Sequence, residues 1–346
     1  MKREIFVGNV GIGGKHPVSI QSMTTAKTSD AERTIDQIKR LYIAGCEIVR
    51  VAVPDIESVT SLKKIIAGSP IPVIADIHFN PDLALGSIRS GVAGIRINPG
   101  NIANRSKLSD ILKSASEADI PIRIGVNSGS IEKKYHKTGM SKSEMMVNSA
   151  LDKVKFFEDS DFLNIKLSLK SSDIRETVDA YRRIDKECDY PLHLGITEAG
   201  TLFSGTIKSS IGIGSLLIDG IGNTIRVSLT DDPVEEIKIA DEILKSLGLR
   251  ERGIEVISCP TCARVSVDLI NIVKRFEKRI AEMKLNKNIK IAIMGCEVNG
   301  PGEAQDADIG IAFSKSKAYL FKKGKMIEKL NPENSIDRLL EIIRNF

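Results

Sequence analysis

The chain holds no apolar run approaching the ~20 residues needed to cross a bilayer. Its opening residues, MKREIFVGNV, lack the apolar segment and small-residue cleavage site of an export signal. Both absences point to a cytoplasmic protein. Cysteine is sparse and odd in number, five in 346 residues, and disulfides are rare in the cytosol, so a disulfide-stapled scaffold is excluded. Histidine is scarcer, with four in all and none beyond His193. A phosphate-cradling glycine loop is also missing. The one candidate, GNVGIGGK at 8–15, has Asn9 where the first glycine belongs and His16 where Ser or Thr should follow the lysine. It reads instead as a hairpin covering one mouth of a barrel.

What remains is an ordinary globular composition, 42% hydrophobic and 27% charged, with a length that suggests two domains. From residue 18 to 230 short apolar strands alternate with amphipathic helices. The strands are VSIQ (18–21), EIVRVAV (47–53), PVIADIH (72–78), GIRIN (94–98), PIRIGVN (121–127), FLNIKLS (162–168), PLHLGIT (191–197) and TIRVSL (224–229). Helix starts are marked by SDAE at 29–32 and SKSE at 141–144, both read as capping boxes, and by Asp232 before Pro233 with Gly248 past the far end. Eight strand–helix units predict a (β/α)8 barrel over 1–250. A small α+β domain is expected over 251–346.

The active site of such a barrel lies at the carboxyl ends of its strands. Those ends carry Arg50, Asp76 with His78, Arg96 with Asn98, Arg123 with Asn127, Lys166 with Ser168, His193 with Glu198, and Arg226 with Ser228. Four arginines and a lysine converging with few acids repel one another unless a polyanion neutralises them. Guanidinium forks match phosphate oxygens, so the expected substrate carries two phosphates or a diphosphate. The rival reading is that the arginines are exposed or structurally paired. His78 and His193 read as core imidazoles, and Glu198 as a balancing charge or a proton donor. Lys166 in a Schiff base, or a zinc-dependent lyase acting on a phosphorylated sugar, is the competing chemistry.

Cys46, at an apolar strand entry, and Cys188, at a helix end, read as inert. Cys259 and Cys262 in CPTC and Cys296 in CEVNGPGEA remain for chemistry. Structural zinc wants a fourth Cys or His, and the second domain offers neither. Thiolates suit an iron–sulfur cluster, and Glu303, brought back by the Gly-Pro-Gly turn, is the candidate fourth ligand of a 4Fe–4S centre. An open fourth position is the alternative. Residues 253–346 carry 16 Lys and Arg against 12 Asp and Glu, which suits an acidic protein partner; a solvated basic hairpin is the plainer reading.

The motifs ADIHFN, GIRINPGN, PIRIGVNSGS, LGITEAGT, TIRVSLTDDP, ISCPTCAR and GCEVNGPGEA together resemble the bacterial 4-hydroxy-3-methylbut-2-en-1-yl diphosphate synthases of the non-mevalonate isoprenoid pathway. The resemblance implies reductive opening of 2-C-methyl-D-erythritol 2,4-cyclodiphosphate. It implies cluster ligands at Cys259, Cys262, Cys296 and Glu303. It implies diphosphate contacts at Arg50, Arg96, Arg123, Asn127, Lys166, Arg226 and Ser228, and a proton-moving Glu198; His193, from the strand-end set, is a further candidate substrate contact. It also implies a homodimer whose active site is shared between subunits, and flavodoxin or ferredoxin as electron donor. The chain has no flavin or nicotinamide fingerprint of its own, so reducing electrons come from outside.

Overall fold

A computed structural model describes residues 1–102, 105–137, 139–251, 253–283, 285, 287–296 and 306–346. It divides into two compact units, Met1–Arg250 and Glu251–Phe346.

In the first unit, apolar and polar side chains alternate along the strands, and this period of two sorts them onto opposite faces. After an antiparallel hairpin, β1 (Ile5–Val7) and β2 (Val10–Ile12), come eight strands. They are β3 (Ser19–Met23), β4 (Ile48–Ala52), β5 (Val73–Asp76), β6 (Gly94–Ile97), β7 (Ile122–Asn127), β8 (Ile165–Lys170), β9 (His193–Leu194) and β10 (Thr224–Ile225). All pair in parallel in the order β8-β7-β6-β5-β4-β3-β10-β9. A parallel bridge between Leu167 and Leu192 joins the two ends, so the sheet closes into the expected (β/α)8 barrel. The ladder is narrow at β9 and β10, where the sequence pattern predicts longer strands, although Arg226 N–H still reaches Leu194 C=O at 3.0 Å.

The outward residues, among them Val49, Val51, Ile95, Ile97, Ile122, Ile124, Leu167 and Leu194, form one apolar core with the surrounding helices. These are α1 (Ala31–Ile43), α2 (Ile56–Gly68), α3 (Pro81–Arg89), α4 (Arg105–Glu117), α5 (Lys142–Glu158), α6 (Ile174–Glu187), α7 (Leu202–Ile218) and α8 (Pro233–Ser246). The capping box at 141–144 is present, and Asp232 caps α8. The box expected at 29–32 is not. Asp30, one residue later, takes the cap by accepting from Arg33 N–H, and α1 starts at Ala31. Glu32 pairs instead with Lys64 at 2.5 Å.

Ile5, Val7 and Ile12 of the hairpin pack on Ile48 and Ile74 near the amino ends of their strands. The hairpin thereby covers the amino-terminal mouth with hydrocarbon.

The second unit is a five-stranded sheet in the order β11 (Ile254–Ser258), β12 (Ile289–Met294), β13 (Ile309–Phe313), β14 (Ala318–Lys322), β15 (Lys325–Leu330). The first three strands are parallel and the last two antiparallel. Helix α9 (Leu269–Glu282) and the C-terminal helix Pro332–Arg344 supply Phe276, Ile280, Leu339 and Ile343 to a core with Ile291, Ile293, Ile311, Phe313 and Leu320. Among the described residues no helix is long and apolar enough to cross a membrane.

Candidate active site

The strand alternation that buries Val49, Ile95 and Ile124 outward turns Arg50, Arg96 and Arg123 into the barrel. Asp76, Arg96, Arg123 and Lys166 are level: Arg96 is the register partner of both Asp76 and Arg123, and Arg123 of Lys166, whereas Arg50 pairs with Ile74, two residues before Asp76. The three arginines line a cleft of about 260 Å³ together with Met23, Asp76, His78, Asn127, Ser168, Lys170, Thr197, Arg226 and Ser228. In this lining four arginines and one lysine stand against one carboxylate, that of Asp76.

Asp76 holds the centre. Its carboxylate is bridged by Arg50 Nε at 3.2 Å and Arg96 Nη1 at 3.0 Å, with His78 Nε2 at 3.6 Å. Burial opposes its charge, but the Arg50 guanidinium and the His78 contact outweigh it and hold the carboxyl far below the usual carboxylate range. Other donors find poor partners. Arg50 turns Nη2 to the Met23 thioether at 3.1 Å, and sulfur is a weak acceptor. Arg123 donates Nη1 to Ser168 Oγ at 3.3 Å. The Nε groups of Arg96, Arg123 and Arg226 are buried without a hydrogen-bond partner.

Crowding shows in the acid–base balance. Burial lowers Arg50 to about 10. Burial, then the neighbouring arginines, push Arg123, Lys166 and Lys170 well below their ordinary values. His193 is driven the same way, by burial and then Arg123; it is a neutral imidazole whose Nδ1 meets Thr224 Oγ1 at 2.7 Å.

The structure thus brings Arg50, Arg96, Arg123, Asn127, Arg226 and Ser228 into one cleft. Lys166 and His193 are fully buried and stand outside its lining, each with a nitrogen lacking a partner. Glu198 is exposed, one residue beyond Thr197 of the lining. Its φ of 53° is left-handed, which costs a non-glycine residue on the order of 1 kcal/mol or more and recurs at functional sites.

In the second unit the thiols of CPTC and Cys296 sit at the carboxyl ends of neighbouring parallel strands. Ser258, before Cys259, pairs with Ile293 of β12, three residues before Cys296. Gly295 N–H donates to Cys259 Sγ at 3.2 Å. Cys262 is exposed and Cys296 buried. The Arg264 backbone N–H, then its side chain, lowers the Cys262 thiol. Glu303 lies outside the described residues. Among the described residues no three His, Cys, Asp or Glu side chains gather around a single-ion position.

The chain matches the GcpE TIM-barrel domain over residues 2–241 and the GcpE protein C-terminal domain over 255–345. The chain belongs to the GcpE family. It is 55% identical over 344 residues to a Clostridium acetobutylicum protein named 4-hydroxy-3-methylbut-2-en-1-yl diphosphate synthase (flavodoxin), covering 99% of this chain and 98% of the relative. The Clostridium perfringens protein of that name is 53% identical, covering 99% and 97%. Solved structures similar in shape include the Yersinia pestis dihydropteroate synthase, with a TM-score of 0.50 at 9% identity over 72% of this chain and all of that one. At that identity the likeness speaks of the barrel fold alone.

Four residues that shape this GcpE cleft escape a motif reading. Lys170 lines it because β8 runs two residues past the predicted end at Ser168. The alternation Asn164, Lys166, Ser168, Lys170 between Ile165, Leu167 and Leu169 was the available signal. Glu236 reaches in from α8, accepting from Leu229 N–H at 2.9 Å and Ser22 Oγ at 3.2 Å, with Arg226 Nη2 at 3.7 Å. Its carboxyl is raised, by burial foremost; nothing local marks a helix residue as barrel-facing. Two inward glycines make room: a Cβ at Gly195 would meet Lys170 Nζ at 2.8 Å, and one at Gly125 would meet Arg96 Nε at 2.9 Å.

Proposed function

We infer that this GcpE-family chain is the flavodoxin-dependent oxidoreductase that converts 2-C-methyl-D-erythritol 2,4-cyclodiphosphate to 4-hydroxy-3-methylbut-2-enyl diphosphate. The single observation that carries the reading is the excess of basic over acidic side chains lining the carboxyl mouth of the barrel. A doubly charged cyclic diphosphate supplies the missing countercharge.

Arg50, Arg96, Arg123 and Arg226 orient the phosphates. Asp76 keeps Arg50 and Arg96 fanned toward the cleft. Asn127, Ser168 and Ser228 add polar contacts at the lining. Lys166, level with Arg123, and His193 are buried outside the lining. In this reading the ring carbon–oxygen bond breaks as two electrons and two protons enter, and one water leaves. Glu198 at the rim donates from its carboxyl to the departing oxygen. The Schiff-base or zinc lyase reading is not favoured: the similar proteins bear the synthase name, and Lys166 is buried outside the cleft lining.

The donor set of the second unit fits an iron–sulfur centre, with two thiols at adjacent strand ends and a third in the exposed turn beside them. Cys259, Cys262 and Cys296 would hold a 4Fe–4S cluster, with Glu303 as fourth ligand. When bound, the cluster supplies electrons one at a time.

A homodimer belongs to the same proposal. Phe203, Ile207, Ile211 and Ile218 form an exposed apolar face on α7, and Gly214 and Ser210 beside it permit close helix approach. The reaction is placed in the cytoplasm.

The test is anaerobic reconstitution followed by iron and sulfide counts and by ³¹P NMR of the cyclic diphosphate with reduced flavodoxin. About four of each per chain, with loss of the cyclic signal, is the expected result. A protein that binds no iron, or turns over equally well as Arg123→Met, refutes the reading.

A further inference from the structure

The strand register of the second unit separates its basic residues into two groups. Strand β11 ends at Ser258 and leads directly into Cys259, and β12 ends at Met294, with Gly295 between it and Cys296. Strand β13 runs parallel to them and ends at Phe313, opposite Ala318. The β13–β14 turn, with exposed Lys315 and Lys317, is therefore at the thiol end. Strand β15 returns to the same end, with Lys329 opposite Tyr319 and its ammonium 5.9 Å from that ring. Arg264 follows Cys262 in the exposed turn, and the adjacent Ser266 N–H donates to Gly295 C=O at 3.1 Å.

The densest basic stretch is elsewhere. Lys322 pairs with Ile309 at the start of β13, so Lys322, Lys323 and Lys325 flank the turn at the opposite end. The four residue steps from Phe313 back to Ile309 put roughly 13 Å of strand between the two groups.

We propose that an acidic one-electron carrier of the flavodoxin type docks on the thiol end of this unit, on Lys315, Lys317, Lys329 and Arg264, and not on the Lys322–Lys325 turn. This rests on the iron–sulfur reading above. Tunnelling falls steeply with distance, so a carrier held at the far turn would be separated from the thiols by the length of the sheet. The thiol end is also charge-complementary. Among the described residues, this end also carries Asp268, whose carboxylate is engaged in capping α9 by Asn271 N–H and Nδ2, and Glu333 in the first turn of the helix that follows β15, so its four cations outnumber its acids. Charge pairing at such a rim governs the encounter rate more than the final affinity.

The experiment measures the second-order rate of reduction of the reconstituted, full-length protein by photoreduced flavodoxin in a stopped-flow instrument, at low and high salt. Three proteins are compared: the natural chain, Lys315→Glu with Lys317→Glu, and Lys322→Glu with Lys323→Glu and Lys325→Glu. Reduction by dithionite, which needs no docking, reports whether each variant holds an intact centre. The expected result is a drop of about tenfold or more at low salt for the thiol-end variant, a shallower salt dependence, and unchanged dithionite reduction. The far-turn variant should stay close to the natural chain. Equal or greater slowing in the far-turn variant, or no slowing in the thiol-end variant, overturns the docking assignment while leaving the enzyme reading standing. Failure of the natural chain to acquire a centre that dithionite reduces would instead overturn both.

Discussion

Arg96 lies across Gly125: the position that a Cβ on Gly125 would take is 2.9 Å from Arg96 Nε and 3.0 Å from Nη2. Gly125 and Arg123 both turn inward on β7, and the missing side chain of one is the space in which a neighbouring strand's guanidinium lies. Gly125→Ala should therefore move Arg96 off Asp76 without unfolding the barrel. The expected outcome is roughly tenfold weaker pyrophosphate binding by calorimetry, about 1.4 kcal/mol, with thermal stability little changed. Unaltered affinity would show that Arg96 takes no part in anion binding.

Arg123→Met separates binding from stability. An uncompensated buried charge is unfavourable in the empty protein, so the ligand-free variant should melt at the same temperature or about 2–4 °C higher. A bound anion at a hundredfold excess over its dissociation constant stabilises the natural chain by about 2.7 kcal/mol. The variant should lose that increment in a melting experiment with pyrophosphate. A large loss of stability in the ligand-free variant would mean that Arg123 is a structural residue.

Lys166 and Lys170 are pushed well below the ordinary lysine value. Between those depressed values and the unfolded value of about 10.4, the unfolded chain holds more protons than the empty folded one, so the stability of the empty protein rises with pH. A bound polyanion reverses the depression. Binding of pyrophosphate at pH 8, measured by calorimetry in buffers of different ionisation enthalpy, should take up protons and weaken as pH rises. Lys170→Met should reduce the uptake; proton release would contradict this account.

Thiol exposure orders alkylation. Cys262 is exposed, whereas Cys46 and Cys296 are buried, and burial raises the Cys46 thiol to about 12. Brief iodoacetamide treatment of the metal-free protein should label Cys262 first by mass spectrometry, and reconstitution with iron and sulfide should protect it. Equal labelling before and after reconstitution would remove Cys262 from the ligand set.

Tyr181 of α6 closes the seam of the barrel. Its hydroxyl donates to His193 C=O at 2.5 Å and accepts from Leu169 N–H at 3.1 Å, where β8 and β9 share only one bridge. Tyr181→Phe leaves both backbone groups buried without that partner, at a cost of about 1–3 kcal/mol in urea unfolding. A smaller change would mean that the bridge alone holds the seam.

Much of this was legible in the residues themselves. Eight alternating segments specify the barrel because a period of two is local: it states which side chains face inward without reference to any other strand. The same reasoning finds Arg50, Arg96, Arg123 and Arg226, since an inward arginine at a strand end has few places to go. Asp30 in place of Ser29 as the cap of α1 marks the usual one-residue uncertainty at helix ends.

Composition and spacing alone determined the closed barrel, the excess of inward cations and the three candidate thiols. Only the tertiary structure decided how deep each cation lies, that Lys170 and not Lys166 lines the cleft, that Glu236 enters from a helix, and which lysines share an end with the cysteines. The physical reason is that facing is a property of one strand, whereas depth and neighbourhood depend on the register between strands far apart in the chain, and that register is set only when the sheet closes.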